Sequence, residues 1–225
     1  MGHARIALVH ALTDSQQPAW AAFADAWPEA RIHNVLDDSL ARDLAVEGKI
    51  TERMIGRFLA IGRYAASTGV EGDETNAILF TCSAFGPAID RVKADLDIPV
   101  LRPNEAAFEE ALDAGSRIGL MVSFPKALPP LVDELEHMAR SRGQRIEVRT
   151  GVAAGALEAL KAGDGHRHDA LAAACAETLA DVDALVLCQF SLARAVAGIA
   201  PVPGRTVLST PVSAVKKLRR TLRVS

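Results

Sequence analysis

The chain has 225 residues, of which 49% are hydrophobic and 24% charged, with a formal net charge of −3. These are the proportions of a globular protein long enough for one domain or two small ones. The acidic balance and the 4% aromatic content exclude a basic nucleic-acid surface and a stacking platform for single strands, so the expected partner is a small molecule. No run approaches about 18 consecutive apolar residues, and Met1 leads into a strand pattern without a charged and then apolar leader, which predicts a cytoplasmic protein without membrane contact. Three cysteines, Cys82, Cys175 and Cys188, are an odd and sparse set that suits reduced thiols better than disulfides.

In chain order, β-type runs fall at 5–10, 31–35, 77–81, 99–101, 117–122, 145–149, 184–187 and 206–208. Amphipathic stretches lie between them, including 39–66, 127–142 and 152–180, the last interrupted by Gly163 and Gly165. Nearly continuous apolar strands alternating with helices predict an α/β fold whose parallel sheet is covered on both faces. The runs also divide into two matching halves. Arg5-Ile6-Ala7-Leu8 reads like Arg117-Ile118-Gly119-Leu120, and Arg31-Ile32 like Arg145-Ile146. Ala77-Ile78-Leu79-Phe80 likewise matches Ala184-Leu185-Val186-Leu187, and Val100-Leu101 matches Val207-Leu208 at the same spacing. Four matches in one order predict an internal duplication into two pseudosymmetric parallel-sheet halves. Open α/β sheets bind ligands at the carboxyl ends of their strands, so a shared cleft is expected there.

Four strand ends are the candidates for lining it. They are His10-Ala11-Leu12-Thr13, Thr81-Cys82-Ser83, Ser123-Phe124 and Cys188-Gln189-Phe190-Ser191. Hydroxyls and amides dominate, a set that suits a carboxylate or a developing enolate. Cys82 follows an apolar strand, and Pro87 then opens a helix. A helix N-terminus stabilises anions and pulls a thiol below its free pKa of about 8.5, which predicts a reactive thiolate. His10 is read either as a donor to substrate or as a histidine satisfied by its own surroundings. Phe85, Phe124 and Phe190 read as an apolar wall or as core.

Thr81-Cys82-Ser83, Leu187-Cys188-Gln189 and Val207-Leu208-Ser209-Thr210-Pro211 together make the sequence similar to the aspartate/glutamate/hydantoin racemase superfamily, which also includes arylmalonate decarboxylase and maleate isomerase. The resemblance spans nearly the whole chain. It implies a cofactor-independent isomerase of two α/β domains, at 1–103 plus about 210–225 and at 104–209. It further implies that one cysteine from each half acts on the α-carbon of a small carboxylate or amino-acid derivative. Cys82 and Cys188 are then the catalytic pair. His10, Thr81, Ser83, Ala84, Ser123, Phe124 and Gln189 are the substrate-binding set, with no metal or other cofactor.

The second thiol departs from the family's Leu-Gly-Cys pattern, because Leu187-Cys188-Gln189 puts Gln189 in the cysteine's place. The spacing of the duplication independently aligns Thr81 with Cys188 and Cys82 with Gln189. Successive strand side chains point to opposite faces, so this one-residue shift matters, although a bulge would bring Cys188 back. An amide cannot serve as a proton-transfer base near neutral pH, but it can donate to an enolate oxygen. The alternatives to a two-thiol racemase are therefore a one-thiol decarboxylase or cis–trans isomerase, or a binding protein that kept the fold.

Other signals read as structural. Cys175, in an alanine-rich helix, reads as core. The run Gly163-Asp164-Gly165-His166-Arg167-His168-Asp169 reads as a helix–helix connection with Asp169 as cap. The basic segment 216–223 reads as the solvated face of a helix whose other face carries Val212, Val215, Leu218 and Leu222. The oligomeric state is left open by the sequence, a homo-oligomer being one option and a dimer the common default.

Overall fold

A computed structural model describes residues 4–223. Met1 and residues 224–225, where the sequence reading begins and ends, lie outside the described residues. The first half runs β1 (Arg5–His10), α1 (Gln16–Ala26), β2 (Arg31–Leu36), α2 (Ser39–Glu47), α3 (Glu52–Ala66), a short antiparallel pair β3 (Gly69–Val70) and β4 (Asp73–Glu74), β5 (Ala77–Phe80), α4 (Gly86–Asp95), β6 (Val100–Leu101) and α5 (Glu105–Ala114). The second runs β7 (Arg117–Val122), α6 (Leu128–Ser141), β8 (Glu147–Val152), α7 (Ala156–Lys161), α8 (Gly165–Glu177), β9 (Ala184–Leu187), β10 (Thr206–Ser209) and α9 (Thr210–Arg223). Two four-stranded sheets result, ordered β2-β1-β5-β6 and β10-β9-β7-β8, and every pairing within them is parallel. Read from the opposite edge, the second order repeats the first. This is an α/β fold of two similar halves.

The ladders test the duplication rung by rung. Ile6 pairs with Ala77 as Ile118 pairs with Ala184, and Ile78 pairs with Val100 as Leu185 pairs with Val207. Three of the four sequence matches therefore hold in register. The fourth slips by two residues: Arg5 pairs with Arg31, but Arg117 pairs with Glu147, so Arg31 corresponds to Glu147 and not to Arg145. The strand expected at 145–149 accordingly lies at Glu147–Val152. β8 is a largely exposed edge strand, and a two-residue slip keeps every side chain on its face, so the apolar pattern alone specifies its register weakly.

The amphipathic stretch 39–66 is two helices. Gly48 takes φ 70°, a left-handed conformation that ends α2 without a Cβ penalty. Thr51 then caps α3, its Oγ1 accepting the Met54 amide at 3.3 Å. The stretch 152–180 divides in the same way into α7 and α8. Asp164, not Asp169, caps α8 by accepting the Arg167 amide at 3.0 Å, while Asp169 lies inside the helix and pairs with His168 and Arg194. A cap must stand just before the first turn, and Gly165 begins the helix five residues ahead of the start that an Asp169 cap implies.

The chain divides into two compact units, residues 1–105 with 214–225 and residues 106–213. In the first unit, Ala7, Val9, Ile78, Phe80 and Val100 from one sheet face meet Met54 and Phe58 of α3 and Ile89 and Val92 of α4. Phe58 stands 4.8 Å from Phe85 and 5.6 Å from Phe80 between ring centroids. Full burial of side chains this size contributes about 1.5–3 kcal/mol each. In the second unit, Ile118, Leu120, Val122, Ala184 and Val186 meet α6 and most of α5, while Leu185 and Leu187 face α8.

Within the first unit, Val215 and Leu218 of α9 are fully buried. Lys217 does not face solvent as the sequence pattern suggested. It reaches the buried Glu105 carboxylate at 2.9 Å, which also accepts Lys93 at 2.8 Å, and Arg219 donates to the Ala26 carbonyl at 2.7 Å. Among the described residues no helix is long and apolar enough to cross a membrane.

Candidate active site

In the first unit, β5 delivers Cys82 to a turn. The Thr81 amide still donates to the Val9 carbonyl at 3.0 Å, the last rung of the ladder. Cys82 (φ −117°, ψ 118°) then precedes a 3-10 turn, Ser83–Phe85, that leads into α4 with Pro87 in its first turn. Strand alternation puts Cys82 on the Ile78–Phe80 side, half-buried against that core cluster. Burial raises its pKa above the ordinary 9.0, and the Ala84 amide, which donates to the thiol, opposes this without overcoming it. The expected depression is therefore reversed. A short 3-10 turn supplies one aligned amide where a full helix N-terminus would supply several, and desolvation outweighs it. Ser83 is half-buried and Ala84 exposed beside it.

Thr81 points to the other face, where it joins His10. The His10 ring is fully buried. Its Nε2 lies 2.9 Å from Asn34 Oδ1, and Trp20 Nε1 donates to that same oxygen at 2.9 Å. An indole N–H only donates, so the atom it meets is the amide oxygen, and His10 Nε2 carries the proton. Nδ1 is left as acceptor, 2.9 Å from Thr81 Oγ1 and 3.1 Å from Ser15 Oγ. Ser15 donates to the Leu12 carbonyl at 2.8 Å, and the Thr81 hydroxyl has the His10 ring nitrogen at 2.9 Å and the Val9 carbonyl at 3.3 Å as its acceptors. Burial lowers the His10 pKa, the Asn34 bond partly opposing it, so the ring is neutral. His10 is thus satisfied by its own unit at both nitrogens. Ser15 and Asn34 complete this network. The sequence reading missed both; a polar residue inside β2 beside the His10 rung was the available signal for Asn34.

In the second unit, the Cys188 amide donates to the Met121 carbonyl at 2.9 Å, the same rung that Thr81 occupies in the first. Gln189 (φ −128°, ψ 140°) then precedes the 3-10 segment Phe190–Gly198, as Cys82 precedes its own turn. Gln189 is the register counterpart of Cys82. Its Oε1 accepts the Ser123 amide at 2.6 Å and the Ser123 hydroxyl at 2.7 Å. The backbone N–H can only donate, so the oxygen is identified and the amide Nε2 is the end directed away from Ser123.

Cys188 points to the opposite face, into the cluster of Leu120, Val122, Leu131 and Leu135, and its thiol donates to the Val186 carbonyl at 3.4 Å. It is 1% exposed. Burial drives its pKa far above the ordinary thiol range; the Met121 contact opposes the shift weakly, and the Glu134 charge adds to it. No bulge returns it to the Gln189 face. Phe85 and Phe190 are core residues, whereas Phe124 is 44% exposed.

The family model for Asp/Glu/hydantoin racemases matches residues 51–218, most of the chain. The chain belongs to the Asp/Glu/hydantoin racemase family. Solved structures share the fold of this racemase-family chain at low sequence identity. Allantoin racemase from Pseudomonas fluorescens is 18% identical, with 98% of this chain and 91% of that one covered and a TM-score of 0.70. An aspartate racemase homologue from Pyrococcus horikoshii is 13% identical, covering 97% and 99%, with a TM-score of 0.69. Glutamate racemase from Thermus thermophilus, in complex with beta-chloro-D-alanine, is 20% identical, covering 98% and 81%, with a TM-score of 0.60. No curated protein sequence matches this family member.

The structure of this racemase-family chain brings together His10 with Thr81 in one unit and Ser123 with Gln189 in the other. Cys175 is half-buried in α8, its thiol also raised by burial. Among the described residues, no group of three or more His, Cys, Asp or Glu side chains converges in a way that could hold a metal ion.

Proposed function

We propose that the protein is an enzyme that transfers a proton at the α-carbon of a small carboxylate or amino-acid derivative, with Cys82 as its one reactive thiol. The observation that carries this reading is the register. Gln189 stands where Cys82 stands in the other half, and Cys188 is the counterpart of Thr81, turned into apolar core. As thiolate, Cys82 takes the α-proton and the electron pair moves into an enolate. As thiol, it returns a proton to that carbon. The Gln189 amide, held by Ser123 with Nε2 as its donor end, is suited to a carboxylate or enolate oxygen. With Cys82 as the one acid–base group, proton removal and return occur on one face of the carbon, so α-exchange with solvent runs ahead of inversion.

The raised Cys82 pKa favours a second, related reading. A thiol that rests protonated is ready to deliver a proton to a carbanion formed by loss of carbon dioxide. In that reaction the carbon–carbon bond breaks, its electrons enter the enolate, and the thiol proton closes the new carbon–hydrogen bond.

Incubation in heavy water with amino acids, hydantoins and substituted malonates tests both readings. α-Deuterium incorporation faster than racemisation, or carbon dioxide release with one deuterium gained, is expected, and either is abolished in Cys82→Ser. Equal rates of exchange and inversion, both lost in Cys188→Ala, would instead establish a two-thiol racemase. Binding without any exchange or release would mark a non-catalytic relative.

A further inference from the structure

The two halves diverge after their aligned turns. In the first, the three-residue 3-10 turn after Cys82 runs into α4, whose Ala88, Ile89 and Val92 are buried in the core. In the second, the described residues between β9 and β10 form no α-helix. A single 3-10 strap of nine residues, Phe190–Gly198, follows Gln189 directly. Hydrogen bonds in 3-10 winding are poorly aligned and runs longer than about four residues are uncommon, so a strap of this length depends on tertiary support.

The support comes from α8. Leu192 and Ala195, three residues apart and so on one face of the winding, share a buried cluster with Ala172 and Ala176 of that helix. Arg194 is the only charged residue of the strap, and its Nε donates to Asp169 Oδ1 at 2.8 Å. Asp169 is itself held by His168, whose Nδ1 donates to the same oxygen at 2.8 Å from a fully buried ring. An ion pair between two freely moving side chains contributes little, but this carboxylate is fixed before Arg194 reaches it.

A glycine marks the same contact. Gly165 opens α8, and a Cβ there would overlap the Arg194 guanidinium, whose Cζ lies 2.7 Å from that point. Its φ is not positive, so the backbone does not require glycine, and alanine would be the better helix former. The missing side chain leaves room for the guanidinium.

Gln189 lies on the side that this latch secures. Strand alternation directs it with Leu187 toward the face that α8 covers, and Phe190, the next residue, is buried. Ser123 fixes the amide oxygen of Gln189, while the backbone that carries the side chain leads straight into the strap.

We infer that Arg194, latched to Asp169, is a positioning residue for Gln189: it holds the 3-10 strap against α8 and so keeps the Gln189 amide docked on Ser123. The assignment rests on the proposed function for the use of that amide and adds the residue that aims it.

Native-state hydrogen exchange of the 15N-labelled protein tests it, with the Ser123 amide, which donates to Gln189 Oε1, as reporter. The Ala153 and Asp183 amides, bonded to the Val122 and Arg117 carbonyls at the two ends of β7, are the controls. Arg194→Ala should speed exchange at Ser123 about ten-fold, the worth of one charge-assisted hydrogen bond, and change the controls less than about two-fold. Asp169→Asn should do the same, and the double variant should add nothing to either. Gly165→Ala displaces the guanidinium while favouring the helix; it should also speed exchange at Ser123, and it decides the matter if Arg194→Ala does not fold. In turnover, Arg194→Ala should lower kcat when Gln189 is present and change it less than about two-fold in Gln189→Ala. Unchanged exchange at Ser123, acceleration shared equally by the controls, or an equal loss of kcat in both backgrounds overturns the inference. The exchange readout needs no turnover, so the two proposals fail separately. Ser123 loosened in Arg194→Ala with no α-deuteration by the wild type retains the latch and removes the proton transfer, whereas α-deuteration with Ser123 protection unchanged does the reverse.

Discussion

Thr81 and Cys188 occupy the same rung of their two sheets. Thr81 donates its amide to Val9 at 3.0 Å and Cys188 to Met121 at 2.9 Å, and in each half the next residue precedes a 3-10 segment. The duplicated backbone thus holds a thiol at one position and an amide at its counterpart. The second-half cysteine falls one residue early, on the face that packs against α5 and α6.

The first prediction follows directly. Cys188→Ala should leave heavy-water exchange within about two-fold of wild type and cost about 1 kcal/mol in urea unfolding, the scale of a small truncation in a packed core. Loss of exchange at full stability would return Cys188 to the chemistry.

The register itself was legible in the sequence, where the spacing of the duplication aligns Cys82 with Gln189 and a bulge is the alternative that restores Cys188. The strands with continuous apolar runs, β1, β5, β7 and β9, were placed well because burial on both faces leaves no other pattern. Three of the four duplicated segments carried their register with them. β8 did not, since an exposed edge strand imposes little pattern. The direction of the Cys82 pKa shift differs from the sequence expectation because a Pro-initiated helix is visible in sequence while the intervening 3-10 turn and the desolvation around the thiol are not. His10 stood at the correct strand end, but its partners Ser15, Asn34 and Trp20 come from a turn, a strand and a helix that only the folded unit assembles.

Ser123 should act through Gln189. Removing its hydroxyl in Ser123→Ala leaves one of the two donors that hold Oε1, so steady-state kinetics should show kcat falling about five-fold, the worth of one ordinary hydrogen bond, with KM less affected. Gln189→Ala should fall further. An unchanged kcat in Ser123→Ala together with a large loss in Gln189→Ala would mean that the backbone amide alone fixes the side chain.

Because burial raises the Cys82 pKa, its thiolate is scarcer at neutral pH than that of an exposed cysteine. Alkylation by iodoacetamide, followed residue by residue by peptide mass, should therefore accelerate through pH 9 without levelling off below it. Cys188 should stay unmodified in the native protein. A plateau below pH 7 at Cys82 would show that the Ala84 amide dominates over burial.

His10 links stability to acid. Burial lowers its folded pKa below the ordinary 6.5, so between these two values the unfolded chain binds a proton that the native chain does not. Its contribution is complete above about pH 6.5 and is lost as pH falls from there toward the lowered native value. His10→Gln removes the titration and leaves Thr81 and Asn34 with an imperfect partner. It should be about 1–3 kcal/mol less stable than wild type at pH 8, the cost of poorly satisfied buried polar groups. Urea unfolding at pH 8 and pH 5.5 should show the gap between the two proteins narrowing as pH falls. The comparison cancels the other acid-sensitive groups, including His33, whose pKa is also lowered by burial, and Glu105, whose carboxylate Lys93 and Lys217 stabilise against the opposing effect of burial. A gap that stays constant would mean that His10 protonates without disturbing the Thr81 hydrogen bond, and its neutral tautomer would then have no part in holding the strand end that presents Cys82.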